Sequence, residues 1–286
     1  MSTIKIVTDD ASDIPLKHED LYDIEVLPIK VTLGDENYLS RKEIDGADFY
    51  DMLDDAEDIP ETSPISSFEF GELFGDLFEQ GYTDIIYVSA SSNGTSSYCN
   101  AVLARDQFFE DIPDAINKLN IYCIDSGSYS AGYGYAVLQA AKMADRGEDS
   151  KKIVEYLHSL FADTRICFGL YGLKFAKKSP VLPIDSSSVS ELIGIRPIMM
   201  VKDGEIEVLS KTRENSLVSE IAETVAEQIK KGTPYFIIYS NDAEQRDEIA
   251  SLLTETLGYP PADSYRIGAA VAAHTGPETV GVVFQG

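Results

Sequence analysis

Six hydroxyl side chains fall within nine residues, Ser89-Ala-Ser-Ser-Asn-Gly-Thr-Ser-Ser97. A second group, Thr62-Ser63-Pro64-Ile65-Ser66, lies upstream, and one of only three histidines, His274, stands in Ala272-Ala-His-Thr-Gly-Pro277. A hydroxyl both donates and accepts hydrogen bonds, so clusters of this kind suit a small anionic head group. Ser and Thr also cap helices, where one residue satisfies a free amide for about 1 kcal/mol. Capping needs one such residue, and six exceed it, so the Ser89–Ser97 stretch reads either as turn and cap chemistry or as a binding turn. Thr62, Ser63 and Ser66 precede a helical stretch and read either as its cap or as a second grip on the same group. His274 reads either as a histidine bonded within its turn or as a further partner of the anion. Asp9-Asp10 would support different chemistry, an acidic pair of phosphatase type, although capping and turn roles for Asp10, Ser12 and Asp13 are the simpler reading.

Several reaction classes lack their signatures. The chain has no GxxxxGK[ST] phosphate loop, no HExxH, and no G-x-S-x-G nucleophile elbow. Gly132-Tyr-Gly134 lacks the third glycine of a dinucleotide fingerprint. Three histidines exclude a histidine-rich metal site and leave open only a carboxylate site for magnesium.

The elements that must position these residues can be read from apolar runs and turn chemistry. Ile4–Val7 is a strand ending in a polar turn, Thr8 to Pro15, that precedes a helix. Residues 24–31 alternate as a second strand, with Pro28 suggesting an edge or a bulge. A short helix is expected over 45–53, and an exposed acidic stretch over 51–58. Phe68, Leu73, Phe74, Leu77 and Phe78 have helical spacing before Gly81. Asp84–Val88 is a strand that feeds the Ser89–Ser97 turn, and a helix follows from Tyr98 to Phe109. In an open α/β sheet that turn lies at the carboxyl ends of the strands, where ligands bind, and the free amides of the helix start favour an anion. Asn120–Ile124 is a further strand, and residues 129–144 form a helix with small residues at its start. This alternation argues for a parallel sheet covered on both faces. Beyond it, a helix over 151–161, a strand over 165–170, and a hairpin turning at Asp203-Gly204 imply a mixed sheet. A helix over 214–231, a strand over 235–239, a helix over 243–257 and a closing strand over 280–284 complete it. Residues 177–190 form the one long irregular piece, a candidate flexible cover.

Bulk composition sets the remaining bounds. Of 286 residues, 44% are hydrophobic, enough for a sizeable core, and the length suggests two domains. Against 49 acidic residues stand 23 basic ones, a net charge of −26. That field disfavours non-specific contact with nucleic acid or anionic membranes, and also serves as a solvated surface. The odd count of three cysteines, Cys99, Cys123 and Cys167, without a CxxC pair, argues against a disulfide framework and for the cytoplasm. The first residues run straight into a strand, and no stretch of 18 apolar residues occurs, so neither export nor a membrane span is expected.

Five motifs, taken in order, resemble the signatures of the DegV family. They are Thr8-Asp9…Ser12-Asp13-Ile14-Pro15, Thr62-Ser63-Pro64-Ile65-Ser66, Ser91-Ser92…Tyr98…Ala101, Ile124-Asp125-Ser126 and Ile267-Gly268…His274-Thr-Gly-Pro277. The resemblance implies two α/β domains with a fatty acid held between them. The first, over residues 1–148, would be a three-layer α/β/α domain with a parallel sheet; the second, over 149–286, a two-layer α/β domain with a mixed sheet that closes a lipid tunnel. It further implies that the protein presents the acyl carboxylate to a separate kinase subunit and is itself neither an enzyme nor dependent on a cofactor or metal. In this alignment the family's carboxylate-binding serine falls on Thr95, the glycine whose amide contacts the ligand falls on Ser96, and the threonine of the first cluster on Thr62. Ser91, Ser92 and His274 are supporting positions. After Leu173–Lys178 the family usually has Gly-Gly-Arg-Ile, whereas this chain has Ser179-Pro180-Val181-Leu182. The arginine is missing, which bears on any kinase contact that uses it; Arg196 and Arg213 keep the family's later basic positions. Two rivals remain at this point. One is a small hydrolase or phosphotransferase using Asp9, Asp10 and the Ser-rich turn, and the other is a regulatory module in which a bound lipid is structural.

Overall fold

The structure, a computed structural model, describes residues 3–44, 46–56, 58–184 and 194–286. The chain opens with β1 (Ile4–Asp9), α1 (Leu16–Tyr22) and β2 (Glu25–Leu27). A small side sheet follows, made of β3 (Lys30–Leu33), β4 (Glu36–Leu39) and, after α2 (Gly46–Asp55), β5 (Glu61–Ser63). Next come α3 (Ser67–Glu79), β6 (Asp84–Ser89), α4 (Ser97–Asp111), β7 (Asn120–Asp125), α5 (Ala131–Asp145) and α6 (Ser150–Asp163).

Strands in the order β2-β1-β6-β7 form an all-parallel sheet. Neighbouring residues of a strand point to opposite faces, and the apolar runs of β1 and β6 supply both. Val7, Ile85 and Tyr87 pack with Phe70 and Phe74 of α3 and Ala101 of α4. Ile6, Ile86 and Val88 pack on the other side with Val137 of α5 and with Ile153 and Leu157 of α6. The result is the three-layer α/β/α arrangement expected of an alternating pattern, and α6 covers the first sheet.

The second sheet is mixed. Its strands are β8 (Thr164–Leu170), β9 (Ile195–Lys202), β10 (Glu205–Arg213), β11 (Phe236–Tyr239), β12 (Asp263–Arg266) and β13 (Thr279–Gln285), in the order β10-β9-β8-β13-β11-β12. Only β11 and β12 run parallel. α7 (Leu217–Gln228) and α8 (Ala243–Leu257) cover one face, against Cys167, Ile198, Ile237 and Val282. The other face, with Ile166, Phe168, Val201 and Ile238, meets Phe49 and Leu53 of α2 and the short helix α9 (Ala269–Thr275). Tyr135 of α5 rests on Phe236 with ring centroids 4.4 Å apart. The second sheet therefore lies against the first lobe.

The Asp203-Gly204 turn behaves as its residues require, with φ of 51° and 82° at the two central positions. This tip docks on the first lobe. A Cβ at Gly127, itself at φ 57°, would lie 3.2 Å from the Gly204 nitrogen, so this close approach of two backbones depends on glycine.

The structure departs from the sequence-based expectations in a few places. The strand expected over 24–31 is split at Pro28. β2 forms the edge of the parallel sheet, and β3 turns into the side sheet, because proline cannot continue a ladder. The polar strands β4, β5 and β12 and the Ala-rich helix α9 have no apolar period and escaped the pattern reading. Of the candidate cover over 177–190, residues 177–184 are irregular, and the rest lie outside the described residues. No helix among the described residues is long and apolar enough to cross a membrane.

Candidate functional site

A cavity of about 370 Å³ lies between the lobes, within the size range of small-molecule sites. One end is walled by the β6–α4 turn, β5 and α9, and carries Thr62, Ser92, Thr95, Ser96 and His274. The remainder is mainly apolar, through Ile166, Phe168, Val201, Ile206, Ile238 and Val271, with Asp9, Ser130 and Thr279 as its polar members.

The two hydroxyl clusters meet through the start of α4. The Ile65 amide donates to Ser97 Oγ at 3.1 Å, and Asn100 Nδ2 donates to the Ile65 carbonyl at 2.7 Å. These bonds hold the Thr62–Ser66 segment against the β6–α4 turn. The turn itself is closed by the Gly94 and Thr95 amides, which donate to the Ser91 carbonyl at 2.9 and 3.2 Å. Thr95 Oγ1 accepts the Ser97 amide at 3.3 Å and lies 3.1 Å from Ser97 Oγ. Part of the turn chemistry is therefore capping, and Thr95 combines it with a place on the cavity wall. Ser96 stands at the N-cap of α4 without a side-chain cap bond. Its amide donates to no group among the described residues. It is thus free to meet a ligand at the positive end of a fifteen-residue helix.

The other predicted residues divide. The Ser92 amide donates to Asp125 Oδ1 at 3.1 Å while the residue lines the cavity. Ser91 does not belong to the lining. Its hydroxyl is buried and donates to the Gly204 carbonyl at 3.2 Å, which pins the hairpin tip to the turn. Ser66 forms a capping box with Glu69 at the start of α3, the bland alternative for that hydroxyl. Thr62 Oγ1 lies 3.0 Å from His274 Nε2, and the other ring nitrogen, Nδ1, lies 3.1 Å from Ser179 Oγ. Burial pushes the His274 pKa below its ordinary value, which favours the neutral imidazole.

Sequence reading missed Tyr129, and it noted Ser179 and Val181 only as a departure from the family pattern, without placing them at the site. Tyr129 packs over the turn so closely that a Cβ at Gly94 would lie 2.5 Å from its hydroxyl. Val181 lines the cavity where a cation could have stood. No Lys or Arg lines the cavity among the described residues, and none occurs in the segments outside them. An acidic head group here meets neutral donors and a helix terminus.

The acidic pair is already engaged, although Asp9 lines the cavity. Asp9 accepts from the Tyr133 hydroxyl at 2.6 Å and the Tyr87 hydroxyl at 3.1 Å, as well as from the Ala90 and Ala11 amides. Burial raises its pKa, against the pull of those hydrogen bonds. Asp10 is paired with Arg41 at 2.8 Å. Among the described residues no group of three or more His, Cys, Asp or Glu side chains could hold a metal. The three cysteines are unpaired. Burial pushes the thiols of Cys123 and Cys167 up to about 12, so both are inert at neutral pH.

A parallel-sheet lobe and a mixed-sheet lobe closing on an apolar cavity with one hydroxyl-rich end define a two-lobed α/β protein with the architecture of a small-molecule binder. A family model described as an uncharacterised protein of the DegV family matches residues 3–286. The chain belongs to the DegV family. It is 27% identical over 290 residues to a DegV domain-containing protein of Caldanaerobacter subterraneus, covering 100% of this chain and 99% of that one. The fold is also that of a stearic-acid-binding protein from Eubacterium ventriosum, with TM-score 0.87, 24% identity and coverage of 100% and 98%. A fatty acid binding DegV family protein from Streptococcus agalactiae is similar to the same degree, with TM-score 0.87, 23% identity and coverage of 100% and 99%.

Proposed function

We propose that this chain binds a long-chain fatty acid between its lobes. The acyl chain runs along the apolar wall, and the carboxylate sits at the hydroxyl-rich end, held by the Thr62 and Thr95 hydroxyls and the Ser96 amide. Ser92 and His274 support these contacts. The single observation that carries this reading is the polarity of the cavity, whose hydroxyls gather where β5, α9 and the β6–α4 turn converge, while Ile166, Phe168, Val201, Ile206 and Ile238 make an apolar wall. Burying about 16 methylenes at roughly 0.8 kcal/mol each is worth on the order of 12 kcal/mol gross, reduced by association and ordering costs. The tail therefore supplies the affinity. The head group must be hydrogen-bonded, because an unpaired buried carboxylate is very costly.

The protein is a carrier and not an enzyme in this reading. It hands the carboxylate to a separate kinase subunit that phosphorylates it with ATP. Neutral donors suit such a carrier, because they satisfy the carboxylate without a fixed ion pair. Asp9 and Asp10, the residues on which a hydrolase or phosphotransferase would rely, are engaged with tyrosines and Arg41. The kinase contact cannot use an arginine at Val181. It can draw on Arg213, which is exposed, and on Arg196, which is bridged to Glu214 at 2.7 Å.

Mass spectrometry of lipid extracted from gently purified protein tests the first claim, with one acyl species per chain expected and an empty protein refuting it. The second is checked by acyl phosphate formation, expected only when a kinase subunit is added. ATP turnover by the chain alone would restore the enzyme reading. Thr95→Val is expected to weaken fatty acid binding by roughly 1–3 kcal/mol, since a buried acceptor loses its donor. Thr62→Val should act on the same carboxylate and couple with it in a double-mutant cycle; strict additivity would place the two hydroxyls on different groups.

A further inference from the structure

We infer that Ser179 is a positioning residue that fixes the tautomer of His274 and thereby aims the Thr62 hydroxyl proton into the cavity. The inference rests on the head-group site proposed above and adds a residue to it. Ser179 stands where the family's Gly-Gly-Arg-Ile pattern begins, a pattern that offers no hydroxyl there.

The geometry is a three-member chain, Ser179 Oγ to His274 Nδ1 at 3.1 Å and His274 Nε2 to Thr62 Oγ1 at 3.0 Å. Its direction follows from donor and acceptor counts. Ser179 Oγ already accepts the Val181 amide at 3.2 Å. Its own proton has no other acceptor among the described residues and goes to Nδ1. Burial keeps the imidazole neutral, so with Nδ1 accepting, the ring proton resides on Nε2. Nε2–H then donates to Thr62 Oγ1, and the Thr62 proton remains available for the ligand. The opposite tautomer would consume that proton on Nε2 and present the carboxylate with an oxygen lone pair.

The segment that delivers Ser179 is anchored on its own side of the cavity. The Lys178 and Ser179 amides donate to the Phe175 carbonyl at 3.0 and 3.2 Å, and Val181 and Leu182 continue into the lining. α9, which carries His274, packs against β3 and β5, and β5 carries Thr62. The relay thus joins three segments that are far apart in sequence.

The test pairs imidazole-nitrogen NMR on the ligand-free protein with stearate affinity, for the wild type, Ser179→Ala and Ser179→Thr. The wild type is expected to carry the His274 proton on Nε2. Ser179→Ala should move population to the Nδ1-protonated form and weaken stearate binding about three- to tenfold, the scale of one hydrogen bond. Ser179→Thr should restore both. A wild-type ring protonated on Nδ1, or an Ala variant with unchanged tautomer or unchanged affinity, overturns the inference. Absence of stearate binding to the wild type would instead refute the fatty acid reading, and the NMR signature distinguishes the two failures.

Discussion

Replacing Val271 by Trp is expected to abolish binding of long acyl chains while leaving the fold intact. Val271 lies on α9, half-buried, on the wall of the cavity. An indole there occupies space that the acyl chain needs. If it displaces about four methylenes at roughly 0.8 kcal/mol each, the loss is about 3 kcal/mol, or on the order of a hundredfold in affinity. Steric conflict with the rest of the chain adds to this. The thermal midpoint should stay within a few degrees of wild type, because Val271 is only half-buried and the cavity it lines gives the ring room. Fluorescent fatty acid displacement and a thermal melt on the same samples give both readouts. Full stearate affinity in the variant would move the tail out of this cavity. A short acid that needs only the hydroxyl-rich end should lose far less than stearate, which separates a blocked tail from a damaged head-group site.

A second large effect is expected at Asp13, where stability depends on pH. Its carboxyl is buried, accepts the Ser130 hydroxyl at 2.5 Å and, across the lobes, the Gly268 amide at 2.8 Å. Burial raises its pKa to about 8, the hydrogen bonds and Arg41 pulling the other way. A folded-state pKa above the unfolded value means that the folded chain holds the proton more tightly. The stability this confers is complete below the unfolded value near 4. It is lost progressively as pH rises to about 8, at up to about 1.4 kcal/mol per pH unit. Asp13→Asn retains an acceptor for Gly268 and has nothing to titrate. The wild type should therefore lose several kcal/mol more than this variant between pH 5 and pH 9 in denaturant titrations. Parallel pH profiles would show that Asp13 is ionised throughout. Because Gly268 is the N-cap of α9, Asp13 also ties the helix bearing His274 to the first lobe.

Much of the architecture could be read in advance because it is local. Asp84–Val88 is apolar at every position after the first, which only a strand buried on both faces tolerates, and the helices after it show their period or their caps. The Asp203-Gly204 turn announced itself because few residue pairs accept two positive φ angles. The reading failed where burial did not write a period. α9 is Ala269-Ala-Val-Ala-Ala-His-Thr275, small enough to be packed on several sides, and β5 is three polar residues held by their partner β3. Both supply the candidate site. Among the hydroxyls, type alone did not separate roles. Ser91 and Thr95 look alike in sequence, yet one is spent on Gly204 and the other reaches the cavity.

The sequence by itself determined the two-lobed α/β class and the position of the β6–α4 turn at the strand ends. Those follow from residue type, spacing and count. Only the tertiary structure decided which hydroxyls share a cavity, that Asp9 is committed to Tyr87 and Tyr133, and that Thr62, His274 and Ser179 form one chain. Thr62 and His274 are 212 positions apart. Their meeting depends on how α9 docks on β5, a packing outcome in which every contact across the lobes takes part, and no local pattern encodes it.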